Sequence, residues 1–277
     1  MTDIEPTTYK ESVKPSLAGR TVLAVFAHPD DESLACGGTL ARLAALGAST
    51  VLLCASRGER GASTDPSLVP DGDLGKVRTF ELNAAAKILG VANVSVLGHP
   101  DGSLRWAHVP EFHSDIVSAI RHYRADAVIT FDADGLYWHL DHVGVYERTS
   151  TAVLSLGQDA PALYYVTMPR GVMRLVVDAA KAKGWTPPQI GFWAITPDAF
   201  GLEAEPPSFT LDVGSWLPQK LAALRCHRTQ VGAVDPFTLL DEADVRRWFG
   251  LEYFRRAPDN GTGQAVLEQL ADRIVMS

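Results

Sequence analysis

Four short apolar runs constrain this chain more than any other feature: RTVLAVFA at 20–27, TVLLCA at 50–55, VSVL at 94–97 and AVITF at 127–131. They are rich in β-branched residues and apolar almost throughout, the mark of strands buried on both faces. Helical stretches alternate with them. In SLACGGTLARLAALG (33–47), Leu40, Leu43, Ala44 and Gly47 fall at helical spacing, with Gly47 suited to a stop. Further helices are predicted over Lys76–Leu89, Val109–His122 and His142–Leu156, and a fifth strand over Leu163–Thr167. Strand–helix alternation with buried strands specifies an α/β fold: a mostly parallel sheet with helices on both faces. Ligands of such sheets bind at the carboxyl ends of the strands. Residues 184–200 and EAEPPS at 203–208 read as loop, and strand and helix resume from about 209 as a C-terminal elaboration. The expected organisation is a flexible tail over 1–18 and a single domain over 19–277, with no internal repeat.

A length of 277 residues suits one large domain or two small ones. Composition, 46% hydrophobic and 21% charged, excludes collagen-like, coiled-coil and wholly disordered chains. Twenty-five Lys and Arg against 33 Asp and Glu leave a net charge of −8, so nucleic acid is not the expected main ligand. Three cysteines, Cys36, Cys54 and Cys226, are too few and scattered for a disulfide framework or a thiolate metal cage. The N-terminus is polar without an apolar core, and no run of 18 apolar residues occurs, so a soluble cytoplasmic protein without membrane association is expected. The oligomeric state stays open, a homo-oligomer included.

The chemistry lies directly after two of the strands. His28-Pro29-Asp30-Asp31-Glu32 follows the first. Capping of a helix N-terminus would need one acid and no histidine. Imidazole with carboxylate at the mouth of a cleft is a donor set for a borderline metal such as zinc. Neighbouring residues in a turn point differently, so one aspartate is free to ligate and the other to take a proton. After the fourth strand comes Asp132-Ala133-Asp134-Gly135-Leu136-Tyr137-Trp138-His139-Leu140-Asp141-His142. The two loops together supply three metal ligands, a spare carboxylate, a spare imidazole and an acid to orient it. Three protein ligands with open positions describe a catalytic site rather than a structural one.

AHPDDE at 27–32 and HLDH at 139–142 resemble the two signature motifs of the PIG-L/LmbE-like N-acetylglucosaminyl deacetylases. The resemblance runs from about 20 to 255. It takes in SRGERG at 56–61, KVRTFELNAAAKILG at 76–90, DGSL at 101–104 and KLAALRCHRTQ at 220–230. It implies a zinc-dependent amidase on a Rossmann-like sheet, acting on a small-molecule amino-sugar conjugate, with another divalent metal such as Fe2+ admitted. By motif position it implies His28, Asp31 and His142 as metal ligands, Asp30 as general base and His139 as general acid or oxyanion partner. Asp141 would orient His139, and Tyr137 would help stabilise the oxyanion. Glu59, Arg78 and Asp101 match positions that contact sugar hydroxyls. For Arg78 a surface cation paired with Glu81 or Glu59 is the competing reading. Amide hydrolysis fits these parts: a metal polarises the carbonyl and acidifies its water, and a carboxylate and an imidazole move the protons.

Other polar residues carry less. His99-Pro100-Asp101 lacks the second aspartate, and His108, His113 and His122 read as helix-surface residues. His227 either closes one side of the cleft or makes a structural hydrogen bond. Cys54 reads as inert core and Cys36 lacks an evident base. Gly37-Gly38 suggests a phosphate cradle, but no G-x-G-x-x-G follows the first strand, so a nicotinamide or flavin is not expected. Loop 60–75 and segment 170–210 are expected to contact the aglycone. There Trp185, Phe192, Trp193 and Phe200 either stack on it or fill a small core. Besides the deacetylase, three alternatives stand. They are an amidase on another acyl amide such as a thiol conjugate, a mononuclear iron oxygenase built on His28, Asp30 and His142, and a non-catalytic sugar-binding protein.

Overall fold

The computed structural model describes residues 16–258, 263–271 and 273–274, so most of the expected tail lies outside the described residues. The chain is already anchored at Leu17, which is buried and donates its N–H to Leu46 O at 2.9 Å.

The five expected strands form: β1 Thr21–Phe26, β2 Ser49–Cys54, β3 Asn93–Val96, β4 Ala127–Phe131 and β5 Ala162–Thr167. So do the four expected helices: α1 Asp31–Ala45, α2 Leu74–Leu89, α3 Val109–Tyr123 and α4 Leu140–Leu154. α4 begins two residues before its predicted start because His139 caps it: Asp141 N–H donates to His139 Nδ1 at 3.3 Å. The sequence reading assigns no element to α5 Val172–Ala182, whose buried face is Met173, Val176, Val177 and Ala180. The elaboration contributes β6 Phe209–Asp212, α6 Leu217–Cys226, α7 Glu242–Phe249, β7 Leu251–Arg256 and β8 Arg273–Ile274.

All eight strands join one sheet in the order β3-β2-β1-β4-β5-β7-β6-β8. The first five pair in parallel, whereas β7 runs antiparallel to β5 and β6, and β8 antiparallel to β6. The elaboration therefore extends the sheet. α1, α2 and α6 pack on one another, and α3 packs on α4. From β1 the chain steps outward through β2 to β3, then returns to lay β4 on the other side of β1. Right-handed crossovers put α1 and α2 on one face and α3 on the other, and leave a crevice at the carboxyl ends of β1 and β4. Val22 to Phe26 are wholly buried, so the loop after β1 springs from the most rigid part of the core.

α1 is broken at Cys36 (φ −149°, ψ 26°). The amides freed by the break donate to Glu252 of β7, Gly38 N at 2.9 Å and Thr39 N at 2.7 Å. The buried Lys220 neutralises that carboxylate at 2.8 Å. The Gly37-Gly38 pair thus does cradle an anion, but the anion is the protein's own. A Cβ on Gly38 would lie 2.5 Å from the Val213 side chain and 3.1 Å from Glu252 Oε1, which is why the close approach needs glycine.

Trp185, Trp193 and Phe200 are buried. Trp193 packs against Trp185, Phe192 and Phe237 with ring centroids 5.8, 4.7 and 5.7 Å away. Of the two readings, the small core is the one the fold makes for these three. No helix among the described residues is long and apolar enough to cross a membrane.

Candidate active site

The loop after β1 carries His28, and Asp30 and Asp31 end it. Asp30 adopts φ +117°, a left-handed conformation that costs a non-glycine residue free energy and persists only where its surroundings enforce it. This turn sends the two neighbouring carboxylates apart. Asp31 turns inward, where Oδ2 accepts the His28 N–H at 2.8 Å. Asp30 turns to the cavity, where Oδ2 accepts from Arg78 Nη2 at 3.2 Å.

The loop after β4 is wound just as tightly, with Leu136 and Trp138 at φ +67° and +63°. Gly135 must be glycine: at φ +54°, a Cβ would sit 2.8 Å from His142 Cβ. The close approach lets His142 Nδ1 donate to Gly135 O at 3.0 Å. Phe131 stacks on the same imidazole at 4.0 Å between centroids.

Three donor groups converge between the loops. His142 Nε2 lies 3.1 Å from Asp31 Oδ1 and 3.3 Å from His28 Nδ1, and His28 Nδ1 lies 3.5 Å from Asp31 Oδ2. Ligands about 2.0–2.2 Å from a tetrahedral zinc stand about 3.3–3.6 Å apart, so this triangle of groups, in which Asp31 presents Oδ1 to His142 and Oδ2 to His28, is close in size to one face of such a site. Each imidazole has its other nitrogen engaged. His142 donates to a carbonyl, and His28 Nε2 faces Asp141 Oδ2 and Asp101 Oδ1, each at 3.1 Å. That outer arrangement fixes tautomer and ring direction in histidines that hold metals. Two other groupings share His28, one with His139 and His142 and one with Asp101 and Asp141; their donor atoms lie within 4.8 Å of one another. The first involves His139 Nδ1 or Nε2, and Nδ1 already accepts a backbone N–H; the second uses the ring edge that the carboxylates occupy.

The electrostatics are those of a buried charge cluster. Burial penalises the His28 cation, yet the hydrogen bonds to Asp101, Asp141 and Asp31 outweigh it and raise the His28 pKa well above the ordinary imidazole value. Burial likewise works against ionised Asp31, but His142 and His28 bring its pKa well below the carboxylate range. Asp30 differs. Burial raises it to about 6, although Arg78 pulls the other way. His139 is lowered to about 4, first by burial and then by its neighbours His142 and His28. Since its Nδ1 accepts a backbone N–H, the neutral ring carries its proton on Nε2. Burial raises the Tyr137 phenol well above its usual value, so it remains a donor.

Asp141, expected to orient His139, does something else. Its Oδ2 accepts from Gly102 N at 2.7 Å and faces His28 Nε2, while Oδ1 accepts from Leu104 N at 2.9 Å. His139 is the cap and Asp141 lies in the first turn of α4, and side chains two apart on a helix do not face each other. His139 is accordingly not held protonated.

The cavity outside the triangle has a volume of about 350 Å3, and its lining includes His28, Asp30, Arg78, Asp101, Tyr137 and His139. Arg78 is no surface cation. It is buried and donates to Gly58 O, Pro29 O and Asp30. Asp101 accepts Arg60 N–H at 2.7 Å, and Glu59, absent from the lining, accepts Asp101 N–H at 3.1 Å. Glu81, the other expected partner of Arg78, instead binds the backbone and hydroxyl of Thr229. Phe192, one of the aromatics expected either to stack on the aglycone or to fill a small core, lines the cavity, as do Gln230, Arg60 and Ile195, to which the sequence assigns no role. SRGERG contains Arg60 and the 220–230 segment contains Gln230, whereas nothing in the spacing marks Ile195. His99 is buried against Asp115 at 2.8 Å. The thiols of Cys36 and Cys54 are buried, with pKa values raised well above normal by that burial.

Comparison with known proteins places the chain among relatives. Residues 23–153 match the family model described as PIG-L: GlcNAc-PI de-N-acetylase. A 1D-myo-inositol 2-acetamido-2-deoxy-alpha-D-glucopyranoside deacetylase of Thermobispora bispora is 33% identical, over 86% of this chain and 88% of that protein. Among solved structures, a conserved protein of Thermus thermophilus matches with TM-score 0.58 and 27% identity, over 86% of this chain and 94% of the other. The N,N'-diacetylchitobiose deacetylase of Pyrococcus horikoshii shares the fold at TM-score 0.57 and 20% identity, over 86% of this chain and 84% of that one.

Proposed function

The chain belongs to the PIG-L family, and from that premise we propose that it is a zinc-dependent hydrolase that removes the acetyl group from an N-acetylglucosaminyl conjugate. One observation carries the reading. His28 Nδ1, His142 Nε2 and the Asp31 carboxylate converge within 3.1–3.5 Å, while the opposite nitrogen of each ring is held by the protein. His28, Asp31 and His142 would hold the metal, and their donor chemistry suits zinc. The iron-oxygenase alternative needs Asp30 in that triangle, and Asp30 is turned to Arg78 instead.

Bound there, zinc supplies Lewis-acid polarisation of the amide carbonyl and an acidified water. Asp30, ionised above a pKa of about 6 and facing the cavity, takes the proton of the attacking water. His139, neutral with its proton on Nε2, and the Tyr137 phenol are donors to the developing oxyanion. The proton held by Asp30 then passes to the leaving amine. Arg60, Arg78, Asp101 and Gln230 offer polar partners to sugar hydroxyls, and Phe192 and Ile195 offer an apolar wall to the aglycone.

The curated relative is named for an inositol conjugate of N-acetylglucosamine, which makes that compound the first probe. The test is free-amine release from a panel of N-acetylglucosaminides with inositol, alkyl and aryl aglycones, by metal-stripped and zinc-restored protein. Amine from at least one member, only after zinc is restored, is the expected result. Release that does not depend on metal, or none from any member, would overturn the reading.

A further inference from the structure

The strain at Asp30 needs a cause, and the structure supplies one in two buried residues that the reaction itself does not use. Glu32 and His227 are both fully buried, and His227 Nε2 stands 2.8 Å from Glu32 Oε1. The second Glu32 oxygen, Oε2, accepts the backbone N–H of Asp30 at 3.1 Å. The Ser33 hydroxyl also donates to Oε1. Glu32 thus clamps the peptide whose φ of +117° turns the Asp30 carboxylate toward the cavity and away from Asp31.

Glu32 is held in turn from the far end of the chain. Its partner is His227, 195 positions away, at the junction of α6 and the single turn Arg228–Val231. That junction is fixed independently. Thr229 donates its N–H and hydroxyl to Glu81 of α2 at 2.9 and 2.6 Å, and Thr64 N donates to Thr229 O at 2.8 Å. His227 Nδ1 has no partner among the described residues, so this buried imidazole is directed through Nε2 alone, 2.8 Å from Glu32 Oε1 and a longer 3.5 Å from the Ser33 hydroxyl.

We propose that His227 is a positioning residue for the reaction: through Glu32 it holds the Asp30 peptide in its left-handed conformation, and so aims the carboxylate that takes the proton. The inference rests on the reading of Asp30 as proton acceptor. It makes the C-terminal segment part of the catalytic apparatus without contact to substrate.

Three variants and one activity-independent readout test it. In His227→Ala, kcat should fall by about 10²-fold, the scale on which misplacement by about 1 Å acts. Substrate KM and zinc stoichiometry should stay close to wild type. His227→Gln, whose amide nitrogen reaches the place of Nε2, should restore kcat to within about 5-fold of wild type. His227→Asn, one bond too short, should not, and this Gln–Asn comparison decides the matter if the alanine variant does not fold. Deuterium exchange of the Asp30 amide, followed in zinc-free protein, should quicken by at least about 10-fold in the alanine or asparagine variant and not in His227→Gln. Equal kcat in the Gln and Asn variants, or unchanged Asp30 exchange, would overturn the proposal. If wild-type protein released no amine from any conjugate, the proposed function would fall, and the exchange comparison would still decide this inference.

Discussion

Replacing Asp141 with asparagine separates two accounts of this residue. Its carboxylate receives three N–H groups: Gly102 at 2.7 Å and His28 Nε2 at 3.1 Å on Oδ2, and Leu104 at 2.9 Å on Oδ1. An asparagine oxygen has to choose a side. Placed at Oδ2 it keeps Gly102 and His28, and its amide then meets the Leu104 N–H, leaving one buried donor unpaired at a cost of about 1–3 kcal/mol. Placed at Oδ1 it loses two partners, so the first arrangement wins. The bond to His28 survives but is no longer charge-assisted, so the imidazole becomes a weaker ligand. Loss of such an outer carboxylate costs about 10- to 100-fold in metal affinity. Asp101 Oδ1, also 3.1 Å from His28 Nε2, is a second acceptor for the same proton. The Asp101→Asn/Asp141→Asn double variant should therefore lose more than the two single losses added. The assay is competition for zinc against a chromophoric chelator, with thermal unfolding of the metal-free protein as the control for folding. Zinc affinity within about 3-fold of wild type, together with a large fall in turnover, would refute the reasoning and return Asp141 to orienting His139.

Three further outcomes follow from the same contacts. Asp30→Asn should keep its zinc and lose at least about 10² in kcat; turnover within about 10-fold of wild type would remove it as the proton acceptor. Lys220→Met leaves the Glu252 carboxylate buried and uncompensated, and should lower unfolding stability by about 3–5 kcal/mol in a denaturant titration. A loss under about 1 kcal/mol would mean that the Gly38 and Thr39 amides suffice to hold that charge. Gly38→Ala forces a Cβ against Val213 and should cost about 1–3 kcal/mol. An unchanged denaturation midpoint would show that β6 and β7 yield more readily than their packing implies.

The parallel half of the fold was legible because its strands are short apolar runs, buried in β1, β2, β4 and β5 and only half-buried in the edge strand β3, and such runs stand out from helices of 15 or 16 residues. The antiparallel half was not. LEYFRR at β7 is half-buried, with its arginines paired to Asp132 and Glu268, and no local pattern says which strand it will join. The break in α1 was hidden for a related reason, since the carboxylate that caps it lies 213 positions away. At the site, residue types were readable and directions were not. HPDDE announced its donors, but only the left-handed Asp30 decides which aspartate faces the triangle. Asp141 looked like a partner of His139 by adjacency, and helix geometry turned it to His28.

The central claim is the location of the metal, and it is tested most directly by anomalous diffraction at the zinc absorption edge from zinc-soaked crystals. The account predicts a single peak about 2.0–2.2 Å from His28 Nδ1, an Asp31 oxygen and His142 Nε2, with Asp30 outside the coordination shell. A peak on the other edge of His28, between Asp101 and Asp141, or one ligated by His139, would contradict it.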